Sequence, residues 1–158
     1  MKKLLVIIVF LLIGDLFAQP VTGYVWRAEF LDSMLVKLTA PEPYTAGENI
    51  TKGEICYYKA ADSKMWLANG DAEATASGLI MVAIETIAAE AVGDFSDRIT
   101  LNGFSGLTAA EPVYLSVTTD GGIQHTAPAV AGSTAVRLGD VKNATTVRFD
   151  IDETKVIK

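Results

Sequence analysis

The 158-residue chain has one cysteine, Cys56, and one histidine, His125. One thiol cannot close an internal disulfide, and one residue of each type cannot build a Cys-based zinc site or a metal-spaced His pair. Lys and Arg number 13 against 19 Asp and Glu, a formal net charge of −6, and no basic cluster stands out. Phosphate neutralisation needs Lys and Arg on one surface, so nucleic acid is a poor candidate partner. The longest unbroken apolar run is Leu4–Ile13. As a helix it would reach roughly 15 Å, about half a bilayer core, so a stable membrane span is not expected. Thirteen Gly and five Pro follow no period, which excludes a collagen-like chain. No phosphate loop or dinucleotide fingerprint occurs. Gly103-Phe104-Ser105-Gly106 has the wrong spacing for a nucleophile elbow.

What is there is apolar. Half the residues are hydrophobic, enough to repay the ordering of one domain. The first 18 residues read as a secretory leader: Lys2 and Lys3 precede the apolar run, and Leu16-Phe17-Ala18-Gln19 offers a cleavage site after Ala18. The leader resembles those of exported Bacteroidota proteins. Residues 19–43 read as an N-terminal arm and 44–158 as a β-rich domain.

No long amphipathic helix is evident after Pro20. Short strands are expected at Val25–Phe30, Met34–Leu38, Ile55–Lys59, Lys64–Ala68, Gly78–Ile84, Arg98–Leu101, Val113–Val117, Ile123–Thr126, Ala135–Gly139 and Thr146–Ile151. Pro41-Glu42-Pro43 reads as a chain break, Asp62-Ser63 and Asp120-Gly121-Gly122 as hairpin turns, and Asn102-Gly103 as a tight turn. The continuous apolar run at Gly78–Ile84 predicts a central strand buried on both faces. Thr86–Val92 is a loop or one short helix, because Gly93 and Asp94 end it. Five- to six-residue strands with frequent turns predict an all-β fold, a small barrel or sandwich of antiparallel strands. Ile50-Thr51-Lys52-Gly53-Glu54-Ile55-Cys56-Tyr57 echoes Leu107-Thr108-Ala109-Ala110-Glu111-Pro112-Val113-Tyr114 at an offset of 57 residues. In both, a turn hands over to an inward-facing strand and a hairpin turn follows.

Candidates for chemistry are few. A Ser–His or Cys–His dyad would have to use His125, which reads instead as a solvated strand residue. Cys56, between Ile55 and Tyr57, reads as a buried inert thiol. Asp94 and Asp97, and Asp150, Asp152 and Glu153, are mild acidic clusters that do not match a calcium loop. Asn49-Ile50-Thr51 and Asn143-Ala144-Thr145 fit the N-glycan acceptor pattern, and Asp32-Ser33-Met34 resembles a Bacteroidota O-glycosylation acceptor. Trp26, Trp66, Tyr57, Tyr58 and Tyr114 are read as core aromatics, with a sugar-stacking face as the alternative. No enzyme activity, cofactor or metal is expected.

Gly106-Leu107-Thr108, Val113-Tyr114-Leu115-Ser116, Asp120-Gly121-Gly122-Ile123, Thr126-Ala127-Pro128 and Val136-Arg137-Leu138-Gly139 follow one another in order. Together they resemble a module of tailed-phage structural proteins found in capsid decoration proteins and in head and tail fibres. Ala46–Glu54 resembles the opening of the decoration proteins, and the Gly78–Ile84 run is similar to one of their strands. The resemblance spans about residues 44–151, and Ala109-Ala110-Glu111-Pro112 stands where the family usually has a Gly-containing turn. It implies a non-enzymatic virion component that binds a capsid or surface lattice and self-associates, commonly as a trimer. The apolar arm outside it, with Val25, Trp26, Phe30, Met34, Leu35 and Val36, is the candidate subunit or lattice contact. The alternative is a secreted bacterial surface module, with glycan as a candidate ligand.

Overall fold

The computed structural model describes residues 40–151 and 155–157. The predicted strands at Val25–Phe30 and Met34–Leu38, the leader and Asp32-Ser33-Met34 lie outside the described residues. The fold is all-β, and all strand pairs within its two sheets are antiparallel. The first sheet contains β1 (Glu42–Thr45), β2 (Ile55–Lys59), β3 (Lys64–Leu67), β4 (Ile80–Ala83) and β5 (Val92–Ser96). The second contains β6 (Arg98–Asn102), β7 (Pro112–Leu115), β8 (Ile123–Gln124), β9 (Thr134–Asn143) and β10 (Thr146–Asp150). β11 (Lys155–Ile157) pairs with the first residues of β9. Among the described residues the helical structure is a single 3₁₀ turn, Glu73–Thr75; Thr86–Val92 is not helical.

The strand order is β1-β5-β4-β2-β3 in the first sheet and β6-β10-β9-β7-β8 in the second. Adding five to each number of the first gives the second. The chain therefore folds one five-strand unit twice, and the echo at residues 50–57 and 107–114 is the visible part of that duplication. The backbone repeats with it. The Glu54 N–H donates to Thr51 O (3.1 Å), Gly53 N–H to Ala83 O (2.8 Å) and Ala83 N–H to Glu54 O (2.9 Å). One unit on, the Glu111 N–H donates to Thr108 O (3.3 Å), Ala110 N–H to Val141 O (2.9 Å) and Val141 N–H to Glu111 O (2.9 Å). Gly53 has φ +90° and Ala110 has φ +68°, so both turns need the left-handed region. Asp97 alone joins the two units.

The arrangement is sandwich-like and not a closed barrel. One bridge, Ala46 to Met65, brings the edges of the first sheet together at a single point. The two units bury different faces. In the first, alternate residues enter separate cores: Ile55, Ile80 and Val82 join one cluster, and Cys56, Met81 and Ala83 the other. β4 is buried along its whole length, as a strand covered on both faces must be. The first cluster is shared with Leu101, Val113, Leu115, Val136, Leu138, Val141, Val147 and Phe149, so it is the layer between the sheets. The second lies beneath the loops after β1 and β4, through Ala46, Ile50 and Ile87. Backbone bonds stitch the units at one end: the Ile55 N–H donates to Gly121 O (2.9 Å), Gly121 N–H to Ala68 O and Gly70 N–H to Ser116 O (both 2.8 Å).

Two expectations are corrected here. Pro41-Glu42-Pro43 does not end the chain's extended path, since Glu42 and Pro43 belong to β1. β1 has one neighbour in its sheet, and an edge strand loses no ladder bond to a missing N–H. Gly93 and Asp94, read as terminators, lie inside β5. A Cβ on Gly93 would collide with the Ile87 side chain, so the position admits that side chain only as glycine. Asn102-Gly103, read as a tight turn, closes β6 with Gly103 at φ +108°, and β6 pairs with β10.

Candidate interaction surface

The second sheet has one dry face and one wet one. On β10, Val147 and Phe149 are buried while Arg148 and Asp150 are exposed. On β6, Leu101 is buried while Arg98, Thr100 and Asn102 are exposed. On β9, exposed Arg137 and half-buried Asp140 stand on the same outer side, each opposite a residue of β7, Tyr114 and Pro112. Alternation along antiparallel strands gathers these groups on one surface. Arg98, Arg137 and Arg148 are all the arginines within residues 40–151.

These side chains pair with one another, Arg137 with Asp140 along β9 and the other two pairs across neighbouring strands. Arg137 Nη2 lies 2.6 Å from Asp140 Oδ1, Arg148 Nη2 3.3 Å from Asp140 Oδ2, and Arg98 Nε 2.9 Å from Asp150 Oδ1. The hydrogen bond from Arg137 holds the Asp140 carboxyl below the usual carboxylate range, and the same bond raises the Arg137 guanidinium above its ordinary value. Each arginine presents a planar fork of donors, and at 65% exposure the Arg98 side chain keeps most of its fork in solvent. Chemically the surface suits carboxylates and polar backbone edges.

The remaining candidates are structural or lie elsewhere. Val25, Trp26, Phe30, Met34, Leu35 and Val36 lie outside the described residues. Cys56 is fully buried, and that burial pushes its thiol well above the ordinary range. His125 Nδ1 stands 3.7 Å from Glu111 Oε2 and makes no hydrogen bond. Tyr57 packs against the layer between the sheets. Tyr44 lies 5.7 Å from Tyr58 and 6.2 Å from Phe95. The Tyr44 hydroxyl donates to Glu42 Oε2 at 2.7 Å, and that bond pushes its pKa up to about 12. Trp66 offers no bare ring for a sugar. Its indole N–H donates to Asp62 Oδ2 (3.1 Å), Lys59 Nζ stands 4.7 Å over its ring, and the Gly47 backbone lies against it.

The sequence matches no family model and no curated protein.

The acidic residues are dispersed: Asp150 binds Arg98, and Asp94 is half-buried in β5. Asp152 and Glu153 lie outside the described residues. Among the described residues no group of three or more His, Cys, Asp or Glu is placed to hold a metal ion, and no helix is long and apolar enough to cross a membrane. Asn49 and Asn143 are exposed, and both carboxamide oxygens accept backbone N–H groups, from Ala89 and Thr145 (each 3.0 Å).

Sequence reasoning missed the arginine surface. Its signal was present as alternation, Arg148-Phe149-Asp150 and Arg98-Ile99-Thr100-Leu101, with charge or hydroxyl on one parity and apolar groups on the other. That β6, β10, β9 and β7 are adjacent was not legible, and adjacency makes the surface.

Proposed function

We propose that this chain is a structural, self-associating protein of the decoration or fibre type, which binds a capsid or comparable surface lattice of a tailed phage. One observation carries the reading. The residues that resemble the phage module, from Gly106 to Gly139, make up the loop before β7, β7, β8 and the first half of β9, and that unit occurs twice in tandem. A duplicated β unit with a polar outer sheet face is suited to seating on a repeating surface. The apolar arm around Val25 to Val36 remains the proposed lattice or subunit contact, and a trimer is the association that the resemblance favours.

Density-gradient fractionation of the native source, with mass spectrometry of the fraction that holds the chain, tests the reading. Co-migration with a major capsid protein is the expected result. Recovery as a small soluble species that begins near Gln19 would overturn it in favour of a secreted surface module.

A further inference from the structure

The two units stack in one sense rather than face to face. In the first unit, Ile55 pairs with Val82 and Tyr57 with Ile80; in the second, Pro112 pairs with Asp140 and Tyr114 with Arg137 at the equivalent positions. A β-bulge between Val113 and Tyr114 keeps this correspondence. The apolar face of the first unit is covered by the second unit. The equivalent face of the second unit is the arginine surface, and among the described residues nothing covers it. Conversely, positions that face the loop-covered core in the first unit, Cys56 and Ala83, correspond to Val113 and Val141, which face the layer between the sheets. The layers therefore run in a fixed order: loops, core, first sheet, core, second sheet, arginine surface.

Charge follows the same axis. Residues 40–96 carry nine Asp and Glu against three Lys, and residues 97–151 carry five against four Lys and Arg. At the loop end, Glu85 and Glu90 are exposed on the connection between β4 and β5, which holds no basic residue. Glu85 has no ion-pair partner among the described residues, and Glu90 binds Lys64 at 2.7 Å. Val92, 67% exposed, adjoins them. One end of the stack is thus acidic with an apolar spot, and the other carries every described arginine together with Asp140 and Asp150, with Arg137 opposite Tyr114.

We propose that copies of this chain associate head to tail, with the arginine surface of one copy on the Glu85–Val92 end of the next. The occupant is a second copy because its far end supplies the complementary charge and because stacking in this sense already joins the two units within one chain. Such a contact is heterologous, so it propagates into a ring or a filament. This inference deepens the self-association in the proposed function and rests on it. It does not depend on a capsid.

The test is sedimentation velocity of the full chain at low and high salt, over a range of concentrations. The wild type is expected to grow in mass with concentration at low salt and to lose about tenfold in association affinity at high salt, since exposed charges are screened. Arg137→Glu with Arg148→Glu should sediment as a monomer, and so should Glu85→Lys with Glu90→Lys. Their mixture should associate again, because each restores the other's complement. Arg137→Gln with Arg148→Gln gives a milder loss in a fold checked by circular dichroism. A wild type that stays monomeric at low salt, or charge-reversed variants that associate as the wild type does, would overturn the proposal. Pelleting with capsids is scored separately. Self-association with this charge pattern but no pelleting would remove the lattice reading and leave the head-to-tail contact in place.

Discussion

Gly53 and Ala110 occupy one position in two copies of the same turn, with the same three backbone hydrogen bonds. Both backbones are left-handed, and only one residue is suited to that. An L side chain pays roughly 1–2 kcal/mol there, while glycine gives back part of this in chain entropy. Ala110→Gly should therefore stabilise the protein by about 0.5–1 kcal/mol, and Gly53→Ala should destabilise it by about 1 kcal/mol or more. In the latter, the new Cβ also meets the Phe104 ring at 3.1 Å. Urea unfolding of the two variants checks this; a stability loss on Ala110→Gly would show that the turn needs its alanine for packing. The Thr-x-x-Glu spacing was legible because it fixes this turn in both copies. The left-handed alanine was not, because alanine by itself names no conformation. Glu54 and Glu111 also diverge in use: the Glu54 carboxylate accepts the Thr51 N–H at 2.6 Å, and that of Glu111 faces His125.

At the scale of elements, β2 was read at its full range, Ile55–Lys59, and β3, β4, β6, β7, β8 and β10 within a few residues of theirs. Their branched and aromatic residues leave little alternative to extended chain. β1 and β5 were missed, since Pro43 and Gly93 are strand breakers by type and strand members by context. β9 runs to Asn143, beyond the predicted end at Gly139, because β10 pairs with it as far as Asn143. Asp140, on this extension, makes a pH prediction. Asp140 has its folded-state pKa lowered by Arg137, so its contribution to stability is present above the ordinary carboxylate range. It is lost as pH falls through the lowered folded value. Asp140→Asn should be less stable than the wild type near neutral pH, and the gap should close on acidification. Thermal melts from pH 7 down to pH 2 read this directly, and a gap that stays constant would show that Asp140 acts through packing alone. The pair is exposed enough for its net effect to be small, on the order of 1 kcal/mol or less.

At the scale of the molecule, the two cores decide the behaviour. The layer between the sheets draws on both units, from Ile55, Ile80 and Val82 to Val136, Leu138 and Phe149. Neither unit can bury that face alone, so the protein should unfold in one transition. Trp66 fluorescence in a Trp26→Phe background and far-UV circular dichroism should give coincident midpoints in denaturant; two separated midpoints would show the units to be independent. All-β architecture was legible from strand length and turn spacing. The repeated strand order was legible only in its eight-residue echo, because adjacency such as β10 beside β6 is a long-range choice. That choice is made by which faces are apolar, and the switch from Ile55, Ile80 and Val82 to Pro112, Arg137 and Asp140 has no meaning until the register is known.

The single-residue joint at Asp97 also has a consequence in time. The ribosome finishes the first unit before it has made any strand of the second. The face formed by Ile55, Tyr57, Ile80 and Val82 then waits for β7 to β10, some fifty residues later. At usual elongation rates of about 5–20 residues per second, that wait is on the order of 3–10 s. For those seconds the nascent chain carries the apolar residues of the first unit with no partner to cover them. Ribosomes translating one message close together would hold several such segments within reach of each other, so the spacing between them bears on how much of the product assembles correctly.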